Sequence, residues 1–255
     1  MVDLVGSGFG GQVVLVTGAT SGIGRATALA FARAGALVVA AGRDRERGEA
    51  VAGACADAGG SAVFLAADLT EPDAVRALVA AVAARFGRLD IAFNNAGYQE
   101  PRAALADQPD DAFRRVFATN VESLFHAMKA ELAVMLEQGQ GVIVNNASVS
   151  GVRNPNPGLS LYSASKAAAI SLTRSAALEY APRGIRINAV SPGRVVTPMM
   201  LGSGIADMAT VAAGLPSRRL GEPGEVAQAV LWLASDAASF VIGHNLCVDG
   251  GFLAT

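Results

Sequence analysis

Gln12-Val-Val-Leu-Val-Thr17 runs into Gly18-Ala-Thr-Ser-Gly22-Ile-Gly24, and Arg25–Ala34 follows as an alanine-rich stretch. The first segment is a short β-branched run closed by glycine, the pattern of a buried parallel strand, and the last is helical. A strand, a glycine turn and a helix in this order set backbone N–H groups and a helix N-terminus against phosphate oxygens. Glycine is needed there because a side chain would block close approach, or because φ must be positive. The spacing is G-x-x-x-G-x-G, not the G-x-G-x-x-G of the general dinucleotide fingerprint, so a glycine-rich loop of other purpose stays open at this point. Ala36–Ala41 reads as a second strand that closes a βαβ unit. Such units predict an α/β fold with a mostly parallel sheet and helices on both faces.

Outward from this unit, the residue that usually meets the adenosine ribose lies at the end of the second strand. An acid there would bind the 2′-hydroxyl of NAD(H); this chain has Gly42-Arg43. An arginine pairs bidentately with a 2′-phosphate, which favours NADP(H). A solvated Arg43 beside Asp44, or one partly neutralised by Asp44 with NAD(H) also used, is the alternative. Asp44–Asp57 has helical character, and Ala62–Ala67 is a third strand ending at Asp68-Leu69, where a carboxylate could accept from an adenine amino group. Thr70 is the expected N-cap of a helix with Pro72 in its first turn, running to about Phe86 and ended by Gly87. Leu89–Phe93 is a fourth strand, followed by Asn94-Asn95-Ala96-Gly97.

The bulk properties narrow the class. At 255 residues the chain suffices for one large domain with an extensive core. With 52% hydrophobic and 16% charged residues it is not disordered, and 20 basic against 22 acidic residues imply no nucleic-acid-binding surface. Cys55 and Cys247, the two cysteines, fit free thiols in a reducing compartment. The first residues lack a basic segment followed by an apolar one, so no signal peptide is expected. Apolar runs are cut by Arg33, Arg85, Lys129 and Arg174 before a membrane-spanning length of about 20 residues. A cytoplasmic protein is expected.

Leu161-Tyr162-Ser-Ala-Ser-Lys166 carries a phenol and an ammonium four residues apart, on one face of a helix. A positive charge fixed beside a phenol favours the phenolate, so Lys166 is expected to lower the pKa of Tyr162 and suit it to general acid–base work. The pair alone is weak, since many exposed helical pairs have this spacing.

Taken together, Thr17-Gly18-x-x-x-Gly22-x-Gly24, Asn94-Asn95-Ala96-Gly97 and Tyr162-x-x-x-Lys166 resemble the short-chain dehydrogenase/reductase family, in its shorter subfamily with the ketoacyl reductases. The likeness extends from about Gln12 to Gly251. It implies a single doubly wound domain whose seven strands run in the order 3-2-1-4-5-6-7. It implies hydride transfer between a nicotinamide cofactor and a small carbonyl or alcohol, with Ser148, Tyr162 and Lys166 as the catalytic group. Asn120, in a segment expected to disturb the long helical region Pro109–Gln138, would hold a water that links Lys166 to solvent. The cofactor would lie against Gly18, Thr20, Ser21, Gly22, Ile23 and Gly24, then Arg43, Asp68 and Leu69. Asn95, Ala96 and Gly97, the pair Tyr162 and Lys166, and Pro192, Gly193, Val195 and Thr197 complete that set. Val142–Asn146 and Ile185–Val190 are the expected fifth and sixth strands, Pro223–Ser235 a helix, and the last strand falls within Val241–Gly251. The helix Ser160–Tyr180 and the one before it suit a homotetramer.

A segment over about residues 194–216, rich in Met, Gly and small apolar side chains, reads as a substrate lid. Its few charges favour an apolar or aromatic-sized substrate, although Arg102, Arg153 and Arg194 lie within reach of the mouth. No metal is expected: His244 and Cys247 have no third ligand at suitable spacing, and His126, with no partner motif, reads as a packing or surface residue. Three other readings remain: a silent nucleotide-binding sensor, a polyol or hydroxy-acid dehydrogenase using NAD, and a sugar-nucleotide epimerase, for which the residues after Lys166 leave little room. An enoyl reductase would space its Tyr and Lys more widely.

Overall fold

The computed structural model describes residues 8–154, 157–205 and 207–255. The expected absence of a signal peptide, and part of the loop before Tyr162, fall on residues outside this set. Among the described residues, seven strands form one sheet in the order β3-β2-β1-β4-β5-β6-β7. They are β1 Val13–Thr17, β2 Leu37–Gly42, β3 Ser61–Ala66, β4 Ile91–Asn94, β5 Gly141–Asn146, β6 Ile185–Pro192 and β7 Asn245–Val248. Every pairing is parallel, so the sheet is wholly rather than mostly so. Parallel strands need crossovers, and these are α1 Gly22–Arg33, α2 Arg45–Asp57, α3 Pro72–Phe86, α4 Asp110–Phe117, α5 Ser123–Gln138, α6 Ser160–Tyr180 and α9 Pro223–Ala234, with short α7 Pro198–Leu201 and α8 Met208–Ala213 between the last two.

The central strand shows why the sheet is covered twice. Val14 and Val16 pack with Phe31 of α1 and Val226, Val230 and Leu233 of α9, while Val13 and Leu15 pack with Leu78 and Val82 of α3 and Leu132 of α5. Side chains alternate between faces along a strand, so an unbroken apolar run must bury both. Each such side chain contributes about 1.5–3 kcal/mol.

One local expectation is corrected, and two are located more closely. Thr70 is not the cap of α3: Glu71 holds that position, and the Thr70 hydroxyl donates instead to Asp68 at 2.8 Å. The disturbance expected in the helical region 109–138 is present: a π-helical turn at Ala118–Glu122 separates α4 from α5, and Asn120 in it is buried. The last strand is confined to Asn245–Val248.

Candidate active site

All the strands run the same way, so their C-terminal ends share one edge, and the turns leaving them meet there. They enclose a cavity of about 710 Å³. Of the site residues expected from sequence, all but Gly24 and Asn120 line it. Its length along the edge, from Asp68 beyond β3 to Thr197 beyond β6, suits a dinucleotide with room for a small substrate.

Gly18 and Gly24 show why the turn is built of glycine. Gly18 has φ +62°, and a Cβ on it would stand 2.9 Å from the Ala96 Cα. A Cβ on Gly24 would lie 2.3 Å from the Gly18 carbonyl oxygen, so Gly24 acts behind the cavity wall by letting α1 approach the turn. Asn95 braces the same place: its Nδ2 donates to the carbonyls of Thr17 at 3.0 Å and Gly18 at 3.1 Å, and its Oδ1 accepts from Asn146 at 2.9 Å. Its side chain thus ties the ends of β1, β4 and β5 together at the cavity wall.

At the adenosine end, Arg43 is exposed on the cavity wall. Asp44 does not neutralise it through a recorded ion pair: the Asp44 carboxylate caps α2, accepting from Arg47 N at 3.0 Å, and pairs with Arg47 Nε at 3.2 Å. Asp68 accepts from Thr70 N at 3.0 Å, and that bond, with lesser help from the Thr70 hydroxyl and the Arg43 charge, holds its carboxyl below the usual range.

Tyr162 and Lys166 project from one face of α6 into the cavity, and Ser148 lies on the same wall, near enough to the Tyr162 hydroxyl to favour its ionised form. The expected lowering of the phenol pKa is overturned. Burial raises it, the Ser148 bond opposes the rise, and the Glu100 carboxylate adds to it. Lys166 Nζ stands 5.7 Å from the ring centroid and donates to the Asn146 carbonyl at 2.7 Å. Desolvation pulls the Lys166 ammonium down to about 8, so it exchanges protons near neutral pH.

Asn120 is buried behind this group, its Oδ1 accepting from Tyr98 N at 2.7 Å and its Nδ2 donating to Tyr98 O at 2.8 Å and Ser165 Oγ at 2.9 Å. Its amide is thus taken up by protein partners, as a purely structural asparagine would be. Between Asn120, Asn146 and Lys166 lies a cavity of about 20 Å³, space for one water. Among the described residues no cluster of metal-ligating side chains occurs.

Of the segment expected as a lid, Arg194, Val195, Thr197, Pro198, Met199, Met200 and Ser203 border the cavity, whereas α8 does not. Ser150 lines the wall, and its backbone N–H donates to Ser148 Oγ at 3.1 Å. His126 and His244 lie outside the cavity lining.

Two acids escaped the sequence reading. Glu100 is 1% exposed, and its carboxylate accepts from the backbone N–H groups of Leu161 at 3.1 Å and Tyr162 at 3.0 Å. It caps the first turn of α6, where Leu159 offers no capping side chain. Nothing local to Glu100 signals this, since its partners lie some sixty residues onward. Glu131, fully buried beneath the sheet edge, accepts from Asn94 Nδ2 at 3.0 Å, and desolvation raises its carboxyl to about 7. It occupies the inward stripe Leu124, Ala127, Met128, Leu132 and Met135, so helical periodicity was a signal that could have found it.

Residues 18–253 match a family model described as enoyl-(acyl carrier protein) reductase. The chain is 46% identical to a cis-4-hydroxycyclohexanecarboxylate dehydrogenase of Sinomonas cyclohexanicum, over 98% of this chain and all of that one. It is 43% identical to a 2,5-dichloro-2,5-cyclohexadiene-1,4-diol dehydrogenase of Sphingobium indicum, over 97% of this chain and 99% of the relative. The crystal structure of an NAD+-bound xylitol dehydrogenase superposes with a TM-score of 0.89 at 37% identity, over 95% of this chain and 99% of that one.

Proposed function

The chain belongs to the short-chain dehydrogenase/reductase family, and from that premise we propose that it interconverts a secondary alcohol on a six-membered carbocycle with the ketone, using NADP(H). The observation that carries the reading is the contact of the Ser148 and Tyr162 hydroxyls in the cavity, with Lys166 one turn further along the same helix. The four-residue spacing of Tyr162 and Lys166 favours carbonyl over enoyl chemistry. A silent sensor is set aside, since the relatives matched are named dehydrogenases.

The residues present fit a dinucleotide: Gly18, Thr20, Ser21, Gly22 and Ile23 line the cavity where α1 begins, and a helix N-terminus offers backbone N–H groups to a phosphate. When bound, the nicotinamide supplies or accepts the hydride. The chain's own groups do the rest. Ser148 and Tyr162 hydrogen bond the substrate oxygen, and Tyr162 gives its proton in reduction and takes one in oxidation. Lys166 stabilises the phenolate and is reprotonated through a water in the small cavity beside Asn120.

Arg43 supports NADP(H), because the Asp44 carboxylate beside it is engaged by Arg47. The NAD+-bound neighbour makes NAD(H) the second reading, a hydroxy-acid or polyol dehydrogenase. We assign a homotetramer, supported by exposed Phe125 on α5 and Leu178 on α6, and a cytoplasmic location, supported by two free thiols. No helix among the described residues is long and apolar enough to cross a membrane.

The test is steady-state turnover of cyclohexanols and cyclohexanones with NADPH or NADH, for wild type, Arg43→Ala and Tyr162→Phe. NADPH preference that falls in Arg43→Ala is expected, with Tyr162→Phe inactive but still binding cofactor. Equal use of NADH would sink the cofactor assignment, and an active Tyr162→Phe the mechanism.

A further inference from the structure

Among the described residues, four buried side-chain oxygens have no hydrogen-bond partner, and two of them, Asn94 Oδ1 and Glu131 Oε1, belong to one interacting pair. Asn94 is 7% exposed and Glu131 0%. A buried oxygen without a donor costs free energy, so two in one pair call for a single explanation.

The direction of the surrounding hydrogen bonds supplies it. The Ala169 carbonyl can only accept, and it takes the one hydroxyl proton of Thr173 at 2.8 Å. Thr173 Oγ1 must then accept, which turns the Asn145 amide nitrogen toward it at 2.9 Å. Asn145 Oδ1 in turn accepts from Asn94 Nδ2 at 3.1 Å, and the same nitrogen donates to Glu131 Oε2 at 3.0 Å. Neither amide can be turned over without setting like groups against each other. Asn94 Oδ1 is therefore fixed as an acceptor that lacks a donor, while the carboxyl bonded to its nitrogen holds a second, unpartnered oxygen. An ionised carboxylate offers no proton; a neutral carboxylic acid offers one O–H.

Burial favours the neutral form, raising the Glu131 carboxyl to about 7 against the Asn94 bond, with no neighbouring charge among the causes. The surfaces that meet around α5 are apolar, with Leu78 and Val82 of α3, Ala92 of β4, Ile143 of β5 and Ala169 of α6. On the helices themselves Arg76, Arg85, Lys129, Glu137, Arg174 and Glu179 are exposed. His126 is turned to Glu122, and Lys166 to the Asn146 carbonyl.

The pair lies directly behind the site. Asn94 and Asn145 face each other in the last register of β4 and β5. The residues that follow them are Asn95, which braces the glycine turn, and Asn146, whose carbonyl takes Lys166 Nζ. Asn94 borders the small cavity beside Lys166 and Asn120, and Glu131 does not. Glu131 therefore acts on the catalytic group through Asn94.

Resting on the dehydrogenase reading above, we propose that Glu131 is a positioning residue that works as a neutral acid, its Oε1 hydroxyl donating to Asn94 Oδ1 while its Oε2 accepts from Asn94 Nδ2. The closed acid–amide pair holds the ends of β4 and β5 where they carry Lys166 and the cofactor edge. Ionisation sets Glu131 Oε1 against Asn94 Oδ1, acceptor against acceptor, and loosens that edge.

Glu131→Gln tests this, because its amide can donate and accept as the neutral acid does but has no proton to lose. Infrared difference spectra of wild type against this variant should show the C=O stretch of a neutral carboxylic acid at about pH 6, fading by about pH 8. The band is a property of wild type and needs no turnover. In steady-state kinetics, Tyr162 and Lys166 titrate in both proteins, so their contribution cancels in the ratio of variant to wild-type kcat/KM. That ratio should rise by about tenfold from about pH 6 to about pH 8, since one unit above a pKa leaves about a tenth of the acid neutral. Glu131→Met, which answers neither Asn94 atom, should lose activity at both pH values. No neutral-acid band, or a band with an unmoved ratio, would overturn the proposal while leaving the dehydrogenase intact. The band without turnover of any alcohol or ketone by either protein would support the neutral acid and overturn the dehydrogenase reading.

Discussion

Replacing Glu100 tests whether a carboxylate outside every motif holds the catalytic helix. Its oxygens take the N–H groups of Leu161 at 3.1 Å and of Tyr162 at 3.0 and 3.1 Å. At 1% exposure it stands where solvent does not reach. Hydrogen bonds to a charged group contribute about 1.5–3 kcal/mol, and a buried donor left unmade costs about 1–3 kcal/mol. Glu100→Gln keeps one acceptor oxygen but turns donors toward donors, which should cost about 2 kcal/mol. Glu100→Ala strands both N–H groups and opens a cavity, for about 3–5 kcal/mol. At about 2–4 °C per kcal/mol for a domain of this size, the Gln variant should melt about 4–8 °C lower and the Ala variant about 6–20 °C lower. Thermal melts followed by circular dichroism read this directly. A pH–rate profile adds what a merely structural cap would not move. The Glu100 charge is one cause of the raised Tyr162 pKa, so removing it lets the phenolate needed for alcohol oxidation form at lower pH. The alkaline rise of oxidation should therefore move down in Glu100→Gln. Melting temperatures within about 1 °C of wild type, with an unmoved profile, would refute the reasoning.

Two further outcomes are expected. Burial raises the Glu131 carboxyl from 4.5 to about 7, so the folded state holds the proton more tightly and stability falls as pH rises between these values. Urea unfolding should find wild type weaker at pH 8 than at pH 4.5 by roughly 3 kcal/mol from this group, and Glu131→Gln should remove most of that difference; an unchanged pH dependence would count against it. Gly24→Ala should lower cofactor affinity by about tenfold or more, because its Cβ would stand 2.3 Å from the Gly18 carbonyl oxygen. In Gly53→Ala, where nothing lies within 4 Å, binding should be retained and stability gained by up to about 1 kcal/mol; equal losses in both would remove the close-approach explanation.

Motif by motif, the chain's own order disclosed the fold and most of the site. The reason is local: β-branched runs, glycine turns and helical spacing encode strand, turn and helix within a few residues, and a parallel sheet then carries every strand's exit to one edge. Thus Gly18–Gly24, Asn95–Gly97, Ser148 and Tyr162–Lys166 could be picked out before any of them was seen together. What depended on burial or on partners far along the chain could not. The Tyr162 pKa was expected to fall, because sequence shows a lysine one turn away; in the folded chain desolvation raises it, Ser148 opposes the rise, and Lys166 turns to the Asn146 carbonyl. Thr70 looks like a cap until Asp68 is seen to take its hydroxyl, and Asn120 spends its amide on Tyr98 and Ser165. Glu100 capping α6, and Arg102 donating to the Pro157 carbonyl, join loops far apart in sequence. Tertiary structure alone decides such groups, since a polar side chain has no meaning until it is known which water it has lost and which partner replaced it.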